Sequence, residues 1–152
     1  MIRFGFDRLV KKVDELAGEG VIDSVFIQTG FTRCEPKHCI YEKFIDMEKF
    51  EALIHQSTLV ISHGGAGTII ASLEYNKPTI VVPRLKKFRE HVNDHQLDLT
   101  HTLEDEGKII AVYDIDKLRE GVERAKTFVP DIRKSESQIL EIIDNYIKKT
   151  VK

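Results

Sequence analysis

The chain has 152 residues, of which 41% are hydrophobic and 32% are charged, and its formal net charge at pH 7 is −2. Such a composition is typical of a globular protein with a core, and the small net charge gives no general attraction to nucleic acid or anionic lipid. No apolar run is long enough for a transmembrane helix, and the first residues lack the hydrophobic region of a signal peptide. We therefore expect one cytoplasmic domain over residues 1–152, with no nucleic-acid partner and no membrane insertion of its own.

The hydrophobic periodicity predicts helices that alternate with strands along the whole chain. The predicted helices cover residues 6–16, 47–55, 66–75, 91–103, 115–126 and 135–149. The predicted strands cover residues 24–29, 39–45, 58–62, 79–83 and 108–112. Only residues 2–4 are available for a strand before the first helix, so the first strand of the fold is short or missing.

Strands that alternate with helices predict an α/β fold, a Rossmann-like parallel sheet with helices on both faces. Ligands of such sheets bind outside the carboxyl ends of the strands. The loops that should meet at this edge are 29–33, 45–47, 62–68 and 83–95.

The two cysteines, Cys34 and Cys39, are candidates for a metal site only if two further ligands join them. His38 is the one obvious local candidate, and the standard spacings of structural zinc sites are absent. We therefore expect reduced thiols and no metal.

A glycine turn between the third strand and the next helix is the most informative motif. Its residues are His63, Gly64, Gly65, Ala66, Gly67 and Thr68. The first N–H groups of a helix have no partner within the helix, and the helix dipole favours negative charge at that end. Glycine removes the Cβ that would keep a phosphate away from the backbone. The turn is therefore a candidate phosphate site, although a tight turn without a ligand has the same pattern.

The segment after the fourth strand, residues 83–96, is rich in cations and in hydrogen-bonding side chains. Its cations are Arg84, Lys86, Lys87 and Arg89, which are suited to a diphosphate. Its polar side chains Asn93, His95 and Gln96 are suited to sugar hydroxyls. A solvated loop followed by a polar first helical turn is the alternative interpretation.

The order of these motifs resembles glycosyltransferase family 28, in its C-terminal, nucleotide-sugar-binding half. The likeness is strongest to small free-standing members of the family, among them cytosolic subunits of two-subunit UDP-sugar transferases and the subunits of bacterial exopolysaccharide glycosyltransferases. The segments that carry it are residues 6–10, 26–30, 62–68, 76–78, 81–84 and 91–96.

The resemblance implies one half of an inverting GT-B glycosyltransferase, a hexosyltransferase that is active only with its partner. This chain would bind a UDP-sugar, UDP-GlcNAc or a related UDP-hexose, without a metal or other cofactor. A membrane-associated subunit would recruit it to the membrane, bind a lipid-linked acceptor of polysaccharide or glycan assembly, and supply the general base.

The resemblance also assigns residues to parts of the donor. Gly64, Gly65, Ala66, Gly67 and Thr68 would hold the diphosphate. The backbone of Phe44 and Ile45 would contact the uracil ring, and the pair His95 and Gln96 would face the sugar. Arg84 and Asn93 are added as donor-binding candidates from the chemistry of their side chains alone. His63 would stabilise the diphosphate or merely cap the turn, and no residue is assigned as the catalytic base.

The chain departs from the family pattern at three places. The glutamate that bonds the ribose in related members is replaced by Ala71, so Glu74, three residues later, is either a substitute or a solvated helix carboxylate. The opening strand is missing or reduced to residues 3–5. The last helix, over residues 134–150, has an apolar stripe that either packs on the sheet or docks the partner. The first two departures favour an alternative function, that of a non-catalytic accessory subunit of a partner glycosyltransferase.

Overall fold

The computed structural model describes residues 5–91, 93–131 and 136–150. The helices are α1 (Asp7–Gly18), α2 (Met47–Gln56), α3 (Ala66–Glu74), α4 (His95–Asp105), α5 (Leu118–Ala125) and α6 (Glu136–Thr150). The strands are β1 (Phe26–Gln28), β2 (Ile40–Glu42), β3 (Val60–Ser62), β4 (Thr79–Val81) and β5 (Ile110–Ala111). Short 3-10 turns cover Lys86–Phe88 and Ile115–Lys117.

All strand pairs are parallel and are grouped in two sheets. One sheet has the order β1-β2, with Ile27 opposite Tyr41, and the other has the order β3-β4-β5, with Ile61 opposite Ile80. Parallel neighbours need a crossover, and in the larger sheet α3 and α4 supply it, whereas residues 29–39 connect β1 to β2 without a helix. The carboxyl ends of β3, β4 and β5 therefore lie at one edge, and the loops that follow them meet there.

Two apolar clusters cover opposite faces of the larger sheet. In β4, Ile80 and Val81 are fully buried, and because successive side chains of a strand alternate between faces, Ile80 joins one cluster and Val81 the other. The first cluster receives α1 through Leu9, Val13 and Leu16, and the second receives α3 and α4. The predicted Rossmann-like α/β fold with helices on both faces is confirmed.

Two predicted boundaries at the functional edge are wrong by three residues or more, and the fourth predicted strand ends at Val81 rather than at residue 83. The second strand stops at Glu42 rather than at residue 45, and α4 begins at His95 rather than at residue 91. The late start of α4 has a clear cause, because side-chain oxygens accept hydrogen bonds from backbone N–H groups at and before the start of the helix. Asn93 Oδ1 accepts from His95 N–H at 3.0 Å, and Asp94 Oδ1 accepts from Lys86 N–H at 2.9 Å. The predicted short strand at residues 2–4 lies outside the described residues.

The last helix belongs partly to the core. Ile143 is 3% exposed and packs in the cluster that contains Leu99 and Leu103 of α4. Leu140 and Ile147, by contrast, are 56% and 47% exposed. Within the described part of the chain, no helix is both long and apolar enough to cross a bilayer.

Candidate functional site

The glycine turn joins the end of β3 to the start of α3. One of its residues, Gly64, has a backbone conformation that favours glycine. Gly64 has a φ of +96°, and its N–H donates to the Ser62 hydroxyl at 3.2 Å. A Cβ on Gly64 would lie 3.4 Å from Cβ of Gln96, so α4 passes close behind the turn. The turn therefore depends on glycine both for its dihedral angle and for its packing against α4.

The N-terminus of α3 is open for an anion. Gly65 is its N-cap residue and offers no side chain, and Ala66, Gly67 and Thr68 form the first helical turn. The N–H groups of such a turn have no acceptor within the helix. Gly67 is exposed, and a Cβ there would meet nothing within 4 Å. The backbone at Gly67 is thus approachable from solvent, as a phosphate would require.

Three side chains at this turn, those of His63, Arg84 and Gln96, carry buried polar atoms without a hydrogen-bond partner, and so does His95 at the start of α4. In the part of the chain that the structure describes, five buried side-chain polar atoms lack a hydrogen-bond partner. Four of them are His63 Nδ1, Arg84 Nε, His95 Nδ1 and Gln96 Oε1. The fifth, Glu106 Oε2, lies 3.1 Å from Lys108 Nζ and so has an ionic partner. Buried polar groups are normally satisfied, and a cluster of exceptions indicates a site for a polar ligand.

His63 lies inside the turn as a neutral imidazole at neutral pH. Burial and the nearby positive charge of Arg84 lower the pKa of His63 to about 4. The Gln96 amide opposes this shift, although neither His63 Nδ1 nor Gln96 Oε1 meets the geometric criteria of a hydrogen bond. His63 therefore offers a hydrogen-bond donor and an acceptor to a ligand rather than a fixed charge.

Arg84 is the cation of the 83–96 segment that reaches the turn. Its backbone N–H donates to His63 O at 3.3 Å, and its guanidinium Cζ lies 5.7 Å from the centre of the Phe6 ring. Burial lowers the pKa of Arg84, and the charge of Glu90 opposes that shift. The other predicted cations of this segment, Lys86, Lys87 and Arg89, are exposed, and the structure does not gather them at the turn.

The predicted sugar-facing residues are divided between two roles. Gln96 is 5% exposed and lies behind Gly64, and His95 begins α4 beside it. The side-chain oxygen of Asn93 is already bonded to His95 N–H. The Asn93 oxygen is therefore used by the backbone of the first residue of α4, whereas His95 and Gln96 keep unpartnered atoms for a ligand.

The predicted uracil-contacting residues lie across a cleft from the turn. Phe44 and Ile45 follow β2, and they line a cavity of about 1530 Å³ together with Thr68 and Arg84. Phe44 is 57% exposed and packs edge-on against Phe31, with ring centres 5.1 Å apart. Most of the cavity is lined by apolar side chains of α1, β1, α2, β3 and α5, and His63, Thr68 and Arg84 line it at the glycine turn.

Glu74 is not brought to this cluster. It is the last residue of α3 and is exposed. At 1.5 Å of rise per residue, it lies roughly 12 Å along the helix axis from Ala66. Ala71, one turn nearer to the site, carries no carboxylate.

Two polar residues of the site are not among those predicted from the sequence. Ser62 shapes the turn through its hydroxyl, and its position at the end of a buried strand was the available signal. Glu90 is the single carboxylate among residues 83–91 and is 5% exposed. An isolated acid within a cationic stretch is a signal of an internal ion pair.

The two cysteines lie apart from this cluster. Both are free thiols, and Cys34 Sγ lies 3.9 Å from Asp7 O. Burial raises the pKa of both thiols, to about 11 for Cys39. Among the residues that the structure describes, no three His, Cys, Asp or Glu side chains form a group that could hold a metal ion.

Comparisons with known proteins identify the domain family. Residues 4–147 match the glycosyltransferase family 28 C-terminal domain. A mouse protein, UDP-N-acetylglucosamine transferase subunit ALG13, is 32% identical over 114 residues, which are 68% of this chain and 9% of the mouse protein. UDP-sugar-dependent glycosyltransferase 52 of Dictyostelium discoideum is 68% identical over 31 residues, 20% of this chain and 2% of that protein. The chain therefore spans less than a tenth of the length of these curated relatives.

Two solved structures share the fold at low sequence identity. The glycosyltransferase of kitacinnamycin superposes with a TM-score of 0.57 at 15% identity, over 91% of this chain and 34% of that one. The calicheamicin glycosyltransferase CalG4 superposes with a TM-score of 0.55 at 14% identity, over 90% of this chain and 34% of that one. Both are glycosyltransferases of the GT-B architecture, and the match covers one part of each. With nearly its whole length matched by one domain family, the chain belongs to the glycosyltransferase family 28 C-terminal domain family.

Proposed function

We propose that this chain binds a UDP-sugar at the glycine turn and acts as the donor-binding subunit of a two-subunit inverting glycosyltransferase. The observation that carries the proposal is the convergence of the open N-terminus of α3 with the unpartnered atoms of His63, Arg84, His95 and Gln96. Amide N–H groups and a guanidinium suit a diphosphate, and the neutral groups of His95 and Gln96 suit sugar hydroxyls.

The chemical class of the donor rests on the relatives. The mouse relative is named as a UDP-N-acetylglucosamine transferase subunit, and the Dictyostelium relative is named as a UDP-sugar-dependent glycosyltransferase. We therefore propose UDP-GlcNAc or a related UDP-hexose as the donor. The aromatic pair of Phe31 and Phe44 would border the base, and the backbone of Phe44 and Ile45 would contact the uracil edge.

The proposed reaction is an in-line displacement at the anomeric carbon of the sugar. An acceptor hydroxyl forms the new C–O bond, the bond from that carbon to the diphosphate oxygen breaks, and UDP leaves with the electron pair. The α3 amide groups and Arg84 are proposed to stabilise the developing negative charge without a metal. The general base that accepts the proton of the hydroxyl is proposed to lie on the partner.

The acceptor half is proposed to be a separate, membrane-associated subunit. The mouse relative is named as a transferase subunit, and the match to each GT-B structure covers about a third of that structure. We propose that the partner binds a lipid-linked acceptor of polysaccharide or glycan assembly and recruits this chain from the cytoplasm to the membrane.

Calorimetric titration tests donor binding directly. The purified chain is titrated with UDP, UDP-GlcNAc and uridine, first alone and then with its partner subunit. We expect UDP and UDP-GlcNAc to bind and uridine to bind much more weakly, because uridine lacks the diphosphate. Equal affinity for UDP and uridine, or no binding of UDP even with the partner present, would contradict the proposal.

A non-catalytic accessory subunit is the second candidate function. One observation favours it: the α3 position that carries a ribose-bonding glutamate in related members is Ala71 here, and Glu74 lies at the far end of the helix. A transfer assay of the complex separates the two candidates. An accessory subunit would support full activity after Arg84→Met, whereas a donor-binding subunit would not.

A further inference from the structure

The loop between β4 and α4 is tied to α1 by a buried ion pair that joins Arg8 and Glu90. Arg8 Nε and Nη2 donate to the two carboxylate oxygens of Glu90 at 2.9 and 3.0 Å. Glu90 Oε2 also accepts from Leu85 N–H at 3.0 Å, and the Glu90 side chain is 7% exposed. The two-pronged pair therefore ties Glu90, and through it Leu85, to α1.

Two guanidinium groups lie near the same aromatic ring, and only one of them bonds Glu90. Arg8 Cζ lies 5.3 Å from the centre of the Phe6 ring, and Arg84 Cζ lies 5.7 Å from it. Arg84 Nε has no hydrogen-bond partner among the described residues, yet the charge of Glu90 acts on Arg84. The charge of Arg84 acts in turn on His63 in the glycine turn. The charge of Arg84 therefore interacts both with the Glu90 carboxylate and with His63 in the glycine turn.

We propose that Arg8 is a positioning residue, which occupies the Glu90 carboxylate and thereby keeps Arg84 available to the diphosphate of the donor. The inference rests on the proposed function, since it concerns the same diphosphate site. A buried carboxylate that loses its cation is costly and recruits another one. Without Arg8, Glu90 pairs with Arg84, and the guanidinium is withdrawn from the turn. Glu90 therefore competes with the diphosphate for Arg84 whenever Arg8 is absent.

The test is a double-mutant cycle measured as UDP affinity by calorimetry. The variants are Arg8→Met, Glu90→Gln and the double variant Arg8→Met/Glu90→Gln. Glutamine keeps an acceptor for Leu85 N–H but removes the competing charge. We expect Arg8→Met to weaken UDP binding about tenfold, the scale of one charge-assisted hydrogen bond. We expect the double variant to recover most of that loss.

A purely structural role of the ion pair predicts the opposite result for the double variant. If the pair only holds the loop, then removing both partners leaves the loop as loose as removing one, and UDP affinity stays low. Failure of Glu90→Gln to restore binding would overturn the inference. A further check is Arg84→Met in the Arg8→Met background, which should cost nothing more, because Arg84 is already withdrawn.

Separate controls test whether the variants fold and whether the proposed function itself is correct. Thermal melts show whether each variant is folded, and Arg8→Lys, which keeps one charge, replaces Arg8→Met if that variant unfolds. Arg8→Lys should give a smaller loss that Glu90→Gln again restores. Wild-type chain that does not bind UDP overturns the proposed function and this inference together, whereas wild-type binding without rescue overturns this inference alone.

Discussion

His63 and Gly65 are in such close contact that residue 65 has no room for a side chain. A Cβ built on Gly65 would lie 2.8 Å from Cε1 of the His63 ring. Any substitution at position 65 therefore moves the imidazole as well as filling the space in front of α3. A loss of ligand binding in such a variant would not separate phosphate exclusion from displacement of His63.

Gly67 gives a cleaner test of the phosphate site. A Cβ there meets no protein atom within 4 Å, and the residue lies in the first turn of α3. Replacing glycine by alanine within a helix stabilises it by up to about 1 kcal/mol. We expect Gly67→Ala to raise the melting temperature and to lower UDP affinity, because the methyl group intrudes on the anion site. Thermal melts measure the expected rise in melting temperature, and calorimetry measures the expected fall in UDP affinity. Unchanged affinity would mean that the diphosphate binds elsewhere.

The lowered pKa of His63 predicts how stability depends on pH. The folded state keeps His63 neutral down to about pH 4, whereas an unfolded chain protonates it near pH 6.5. The unfolded state therefore binds more protons between these values, and the free energy of unfolding falls as the pH falls from 6.5 to 4. The loss from this residue is on the order of 3 kcal/mol at 1.36 kcal/mol per pKa unit.

Denaturant unfolding of wild type and His63→Gln at several pH values measures that loss. The variant should lose less stability than wild type across this range. Parallel curves for the two proteins would mean that His63 is not the titrating group.

The periodicity of the sequence was enough to predict the fold because burial follows it. Leu9, Val13 and Leu16 recur at helical spacing, and all three are buried on one face of α1. Strand β4 is buried on both faces, so its continuous apolar run indicates a central parallel strand. Local pattern and tertiary packing agree in these elements.

The features that could not be predicted depend on contacts between distant residues or on a choice between local bonds. At the start of α4, the side chain of Asn93 accepts from His95 N–H, and that of Asp94 bonds Lys86 N–H in the preceding loop. Arg8 and Glu90 are 82 positions apart in the chain, and no periodicity relates them. Glu74 shares a helix face with Ala71, but one more turn carries it away from the site.

The side chains of His95 and Gln96 should matter more for sugar transfer than for nucleotide binding. Their unpartnered atoms are proposed to meet sugar hydroxyls, and a lost neutral hydrogen bond costs about 0.5–1.5 kcal/mol. We expect His95→Ala and Gln96→Ala to lower turnover of the reconstituted complex while UDP affinity changes little. Asp98→Asn, on the exposed side of α4, is the matched control. Normal turnover in both alanine variants would remove these residues from the site.

Donor binding should not require a divalent cation. The proposed diphosphate site is built from α3 amide groups and Arg84, which already supply positive potential. The sequence Asp114-Ile115-Asp116 has the spacing of a metal motif, but Asp114 Oδ1 accepts from Asp116 N–H and caps the following turn. We expect UDP affinity to be the same in EDTA as in magnesium or manganese. Loss of binding in EDTA and its recovery with added metal would contradict this prediction.

The exposed side chains of α6 test whether this helix docks the partner. Leu140 and Ile147 lie seven positions apart, on one helix face, and are 56% and 47% exposed, whereas Ile143 between them is buried against α4. The side chains of Ile139 and Tyr146, which the predicted stripe also included, lie outside the described residues. The variant Leu140→Asp/Ile147→Asp should therefore melt close to wild type, since exposed substitutions usually change stability by less than about 0.5 kcal/mol. Ile143→Ala should cost about 2–5 kcal/mol as a core truncation.

If α6 docks the partner, the Leu140→Asp/Ile147→Asp variant should no longer co-purify with the partner subunit. Asn145→Asp adds a negative charge at an exposed position of the same helix and should leave co-purification intact. Retained co-purification of the double variant would locate the interface on another surface. Unfolding of the double variant would show that Leu140 and Ile147 contribute to the core together with Ile143.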